Sequence, residues 1–131
     1  CSKAFVPDMI KHSYGKIINV SSILFVIGEQ DLSHYISAKA GVIGLTRSLA
    51  RELGPNGIRV NAVMPGAIQT EGELRDFPEQ DKILNMLNEK QSLTGRIKPE
   101  HIEPTFAFLA SSASDPITGQ VINVDHGWCF W

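Results

Sequence analysis

Hydrophobic positions fall along the chain in alternating blocks of two kinds. Short, nearly uninterrupted apolar runs occupy residues 16–20, 58–64 and 120–124, which suits parallel strands buried on both faces. Between them, apolar residues recur at three- and four-residue steps, as on an amphipathic helix. The longest such segment covers residues 35–53, with Ile36, Ala40, Ile43, Leu45, Leu49, Ala50 and Leu53 apolar, and Gly54-Pro55-Asn56-Gly57 stops it. A further helix starts at Pro99-Glu100, where proline fits the first turn, and takes Phe106, Phe108 and Leu109 as its buried side. The opening residues, from Ala4 to His12, read as the last turns of a helix that begins upstream, so the chain is expected to be a fragment. Residues 24–33 read as a loop. Residues 71–95 are polar, with a helix at about 79–89 that suits either a flap over a site or an ordinary surface helix.

A strand, a long helix and a second strand within residues 16–64 make one βαβ unit. The alternation predicts an α/β fold, a doubly wound parallel sheet of Rossmann type with helices on its faces. About three strands are too few to complete such a sheet. No repeat or linker divides the 131 residues, so a single domain spanning 1–131 is expected.

Charge narrows the partners. Lys and Arg number 12 against 14 Asp and Glu, a net charge of −2, which leaves no basic surplus for nucleic acid or an anionic membrane surface. The longest apolar stretch, residues 23–27, is far short of a membrane span of roughly 20 residues. Cys1 and Cys129 are the only cysteines, at opposite ends, and no Cys/His spacing suits a metal. A reducing, cytoplasmic compartment fits that usage, and His12, His34, His101 and His126 are read as surface or packing residues.

Tyr35 and Lys39 lie one helical turn apart and project from one face of the long helix. A phenol of ordinary pKa, about 10, is a poor acid–base group near neutrality, and an ammonium beside it favours the phenolate. Ser22 follows a buried strand at its carboxyl end, where open α/β sheets bind ligands, and can hold a carbonyl oxygen while Tyr35 donates a proton. No side chain supplies a hydride, so the set implies a nicotinamide cofactor, with Lys39 donors available to its ribose.

Two strings tie these residues together. Gly15-Lys16-Ile17-Ile18-Asn19-Val20-Ser21-Ser22 followed by Tyr35-Ile36-Ser37-Ala38-Lys39-Ala40-Gly41 closely resembles the active-site region of the short-chain dehydrogenases/reductases. The likeness continues through Leu49-Ala50-Arg51-Glu52-Leu53, Ile58-Arg59-Val60-Asn61-Ala62-Val63, Pro65-Gly66, Phe108-Leu109-Ala110-Ser111 and Ile117-Thr118-Gly119-Gln120. It implies an oxidoreductase interconverting an alcohol and a carbonyl with NAD or NADP. Ser22 would position the substrate, Tyr35 would contact both substrate and cofactor and act as acid or base, and Lys39 would grip the ribose. The segment resembling Pro65-Gly66-Ala67-Ile68-Gln69-Thr70 would pass beside the nicotinamide, with Pro65 and Gly66 at the cofactor and the Ile68 backbone and the Thr70 hydroxyl meeting the carboxamide or diphosphate. The family also implies a homodimer or homotetramer. The tail and the Pro-Gly segment bear some likeness to its pyridoxal 4-dehydrogenase-type bacterial alcohol dehydrogenases.

The resemblance has departures. The family's glycine-rich phosphate loop, the residue that chooses between NAD and NADP, and an Asn on the helix before the Ser-bearing strand are not among these 131 residues. The chain is therefore read as the C-terminal, catalytic half of the domain, with the alternative of a truncated, silent product serving as an oligomerisation or interaction module. Asp125-His126-Gly127 stands where the family usually has Asp-Gly-Gly, which asks His126 for a backbone that glycine adopts more freely. The aromatic tail Trp128-Cys129-Phe130-Trp131 is expected to pack on another subunit, and Ile43 suits either the core or such a contact.

Overall fold

The three apolar runs form one parallel sheet in the computed structural model, which describes residues 2–130. Its order is β1 (Gly15–Val20), β2 (Ile58–Pro65), β3 (Val121–Val124). Gly15 pairs with Ile58 and Val20 with Val63 on one side of β2, and Ala62 pairs with Val121 and Pro65 with Val124 on the other. As the central strand, β2 carries the driest residues: Ile58, Val60, Ala62, Val63 and Met64 are all buried. A strand covered on both faces needs buried side chains at consecutive positions, which Ala62, Val63 and Met64 supply, while Asn61 is buried with its amide bonded to the Ile117 carbonyl and Gln120 N.

The helices are α1 (Ser2–Lys11), α2 (Leu24–Ile27), α3 (Ser33–Leu53), α4 (Glu71–Asp76), α5 (Gln80–Lys90) and α6 (Pro99–Ala110). Successive residues of β2 face opposite layers. Ile58 and Val60 pack with Ala50 and Leu53 of α3, and Met64 packs with Ile43, whereas Val63 packs with Ile102 and Leu109 of α6. The doubly wound α/β arrangement inferred from the pattern is thus present, with α3 on one face and α6 on the other.

Four details differ from the sequence reading. Leu45 and Phe108, expected inside, are half exposed. Leu45 lies about 200° around α3 from Ile43, and Phe108 lies about 120° from Ile102 and about 100° from Leu109, on the flank of α6. In place of Leu45 the inner face of α3 uses Thr46, fully buried, whose hydroxyl accepts from Asn19 Nδ2 at 2.9 Å and donates to the Val42 carbonyl at 2.8 Å. Within the expected loop, α2 forms a single helical turn that carries Ile23 into the core while Val26 and Ile27 stay exposed. The polar segment after β2 contains α4 as well as α5. The Thr70 side chain caps α4 by accepting from Glu73 N at 3.1 Å, and Glu71 and Glu73 complement its dipole. This segment is also pinned: Arg96 donates to Glu73 at 2.8 Å and to Gln80 at 3.1 Å, and Gln69 donates to Gln80 at 2.9 Å.

At the amino ends of the strands, away from Ser22, an ionic knot ties the sheet to the turn before β3. Lys16 Nζ lies 2.8 Å from Asp115 Oδ1, Arg59 Nη2 lies 3.5 Å from the same oxygen, and Arg59 Nε donates to the Asp115 carbonyl at 2.9 Å. The Lys16 hydrogen bond holds the Asp115 carboxyl below its ordinary value, with the Arg59 charge and Tyr14 adding to it and desolvation opposing. A carboxylate with a depressed folded-state pKa stabilises the fold above its unfolded value and loses that contribution as pH falls through the folded value. Asp115→Asn is therefore expected to lower the melting temperature at neutral pH and to flatten its decline in the window that opens as pH falls below about 4. Parallel melting curves for both proteins across that window would refute this role.

Candidate active site

The site is built where β1 ends. Ser21 N donates to the Val63 carbonyl at 2.8 Å and Ile23 N donates to the Pro65 carbonyl at 3.2 Å, so Ser22 sits between two bonds that extend the ladder past the strand. Its side chain is nearly buried, and Ser22 Oγ accepts from Leu24 N at 3.3 Å. A reciprocal clamp joins this strand end to α3. Ser21 Oγ donates to the Lys39 carbonyl at 2.9 Å, and Lys39 Nζ donates to the Val20 carbonyl at 3.0 Å. The clamp fixes the rotation of α3 and with it Tyr35, one turn earlier. The Lys39 ammonium lies 5.6 Å from the centre of the Tyr35 ring.

Ser22 and Tyr35 open onto one cleft of about 210 Å³, which Ile23, Leu24, Gly66, Ala67 and Trp128 complete. A larger cleft of about 460 Å³ lies at the other end of α3, around Arg47, Arg51 and Thr118, and its lining contains no proton donor–acceptor pair of this kind. The segment after β2 borders the smaller cleft in part. Pro65 is buried as the last residue of β2, and Gly66 N donates to the Val124 carbonyl at 3.0 Å. A Cβ on Gly66 would stand 2.9 Å from Asp125 Cα, so only glycine allows this approach. Ile68 and Thr70 lie outside the cleft lining: Ile68 bridges to Ile97 and Thr70 caps α4.

The strand β3 delivers the last wall through a turn held by Asp125. Its buried carboxylate accepts from Gly127 N at 3.0 Å, Cys129 N at 2.9 Å and Cys129 Sγ at 3.3 Å, while its carbonyl accepts from Trp128 N at 3.2 Å. Burial, with the neighbouring Asp125 carboxylate adding to it, pushes the Cys129 thiol up to about 11. His126 takes a φ of 56°, the left-handed conformation anticipated from its place in the turn.

Trp128 corrects the expectation for the tail. Its ring packs on the cluster of Ile23, Ile43 and Met64 in its own chain, so both Trp128 and Ile43 belong to the core and cleft. Phe130, by contrast, is 86% exposed, and Trp131 and Cys1 lie outside the described residues. No local signal marks Trp128 as a cleft residue, because the turn at Asp125 decides its direction. Among the described residues no group of three or more His, Cys, Asp or Glu side chains could hold a metal ion. No helix among them is long and apolar enough to cross a membrane.

A strand-end serine, a helix-borne Tyr–Lys pair and a doubly wound parallel sheet define a class, and comparison with known proteins agrees. A family model described as enoyl-(acyl carrier protein) reductase matches residues 1–129. The chain belongs to the short-chain dehydrogenase/reductase family. It is 40% identical over 128 residues to a D-xylose 1-dehydrogenase of Caulobacter vibrioides, covering 98% of this chain and 51% of that protein. It is 42% identical over 126 residues to a 3-oxoacyl-[acyl-carrier-protein] reductase of Thermotoga maritima, covering 93% and 48%. A solved 4-hydroxyisoleucine dehydrogenase complexed with NADH superposes with a TM-score of 0.89 at 30% identity, covering 97% of this chain and 52% of that one. The chain thus spans about half the length of the curated relatives it matches.

Proposed function

We propose that these residues form the catalytic part of an NAD(P)-dependent oxidoreductase that interconverts a small alcohol and its carbonyl compound. The observation that carries this reading is the common cleft of Ser22 and Tyr35, with the Lys39 ammonium 5.6 Å from the phenol ring. In the reducing direction the Ser22 hydroxyl donates a hydrogen bond to the carbonyl oxygen and polarises it. Tyr35 donates its proton to the same oxygen as negative charge develops there, and Lys39 stabilises the phenolate left behind. Oxidation runs the same steps backwards, with Tyr35 taking the hydroxyl proton. A bound nicotinamide supplies or accepts the hydride at carbon.

The residues present fit such a cofactor. Lys39 spends one of its three donors on the Val20 carbonyl, leaving two for ribose hydroxyls. Thr70 accepts from Glu73 N and keeps its own O–H to donate, so its hydroxyl can meet the carboxamide or diphosphate as assigned from the resemblance, together with the Ile68 backbone. Pro65 and Gly66 set the path of that segment. Phosphate binding needs a glycine-rich loop that these residues do not include, so the activity is assigned to a protein that supplies one together with them. Homodimer or homotetramer formation and a cytoplasmic location are part of the same reading.

The test is a nicotinamide-absorbance assay of the complete protein, run with NAD(H) and NADP(H) against a panel of small alcohols, sugars and ketones. Turnover of at least one pair that disappears in a Ser22→Ala, Tyr35→Phe double variant is expected. Turnover that survives the double variant would overturn the assignment.

A further inference from the structure

Trp128 lines the cleft of Ser22 and Tyr35, and the turn that carries its indole is tied to the rest of the fold by several bonds. Three successive amides around it are tied to Asp125: the carboxylate takes the N–H groups of Gly127 and Cys129, and the carbonyl takes that of Trp128. Two residues of the turn, His126 and Gly127, have positive φ, so the chain reverses tightly here. The His126 carbonyl accepts from Ser92 N and Leu93 N, both at 2.9 Å, which joins the turn to the end of α5. From α5 itself, Lys90 places its ammonium 5.5 Å from the centre of the Trp128 ring. The ring rests on Ile23, Ile43 and Met64 and still lines the cleft beside Ser22 and Tyr35.

From this arrangement we infer that Trp128 is the specificity-determining wall of the substrate cleft: it sets the size of the substituent on the reacting carbon and favours an apolar or CH-rich face against the indole. The inference rests on the proposed oxidoreductase reading for the identity of the reacting carbon. The three bonds to Asp125 and the two to the His126 carbonyl fix the backbone beneath the indole, and Ile23, Ile43, Met64 and the Lys90 ammonium hold the ring itself, so admitting a larger group means giving up the ring's own contacts. Ile23, Leu24 and Ala67 complete an apolar lining that complements the same face. The Lys90 ammonium draws on the π electrons of the ring and adds to its fixed orientation.

The test compares kcat/KM for a series of methyl ketones, from a methyl substituent to a phenyl one, in the complete enzyme with saturating nicotinamide, for the natural sequence, Trp128→Phe and Trp128→Ala. The ratio of bulky to small substrate is expected to rise about tenfold or more in Trp128→Ala and by an intermediate factor in Trp128→Phe. Should Trp128→Ala fail to fold, Trp128→Phe, which keeps a ring on Ile23 and Met64, decides alone. A ratio within about twofold of the natural one in a folded variant overturns the inference. The two readings fail separately. An unchanged ratio in an enzyme that still depends on Tyr35 sinks the Trp128 inference alone, whereas full activity of Tyr35→Phe would sink the reaction assignment whatever Trp128 does.

Discussion

Tyr35→Phe in the complete enzyme is expected to lower turnover by about 10²–10⁴-fold, the usual range for a positioned acid–base group, while cofactor affinity stays within about twofold. The substitution removes one oxygen and leaves the ring, so the contact with the Lys39 ammonium and the shape of the cleft persist. The clamp that holds α3 on the strand end does not involve the phenol either, being made by Ser21, Val20 and the backbone and side chain of Lys39. A large loss of rate with an unchanged melting temperature therefore reports the missing proton. Stopped-flow turnover and fluorescence titration of reduced nicotinamide measure the two quantities separately. Near-normal turnover would show that the proton comes from another group. A parallel loss of cofactor affinity would place Tyr35 in binding instead of proton transfer.

All three strands were legible as short apolar runs, but only the central β2 is buried on both faces; β1 and β3, read the same way, are edge strands of this sheet and mostly half-buried. The long helix was legible from its steps, yet periodicity placed Leu45 inside and overlooked Thr46. A threonine that satisfies its hydroxyl on the Val42 carbonyl and takes the Asn19 amide can be buried without cost to hydrogen bonding, and composition alone does not reveal that pairing. The short helix α4 was invisible for a related reason. It is stabilised by a Thr70 cap and two acidic residues in its first turn, while its apolar content is slight.

Of the site, the local pair was readable and the long-range wall was not. Tyr35 and Lys39 are neighbours by helical spacing, and Ser22 announces itself by following the apolar run of β1 at its carboxyl end. Trp128 reaches the cleft only because β3 lies beside β2 and the Asp125 turn then folds back over Gly66, where any side chain would collide with Asp125. In sequence terms it was one aromatic in an aromatic tail, and an exposed contact with another subunit was a reasonable expectation. The fold divides that tail: Trp128 turns inward, and Phe130 is exposed on the surface of the chain.

Lys39→Met is expected to lower both the rate, on the order of a hundredfold, and the affinity for the nicotinamide cofactor. The two losses have different origins in one ammonium. Beside the phenol ring at 5.6 Å it stabilises the phenolate that forms as Tyr35 gives up its proton, and its two unspent donors face ribose hydroxyls in the proposed complex. Methionine keeps much of the side-chain length and its apolar stem but removes every donor. The local structure has a second support, because Ser21 Oγ donates to the Lys39 backbone carbonyl and that bond survives any side-chain change. The melting temperature should consequently fall by far less than the activity. Lys39→Arg separates the roles further: it retains charge near Tyr35 but alters donor geometry, so rate should recover more than affinity does. An unchanged cofactor affinity in Lys39→Met would remove Lys39 from the ribose, and an unchanged turnover number at saturating cofactor would remove it from the proton transfer.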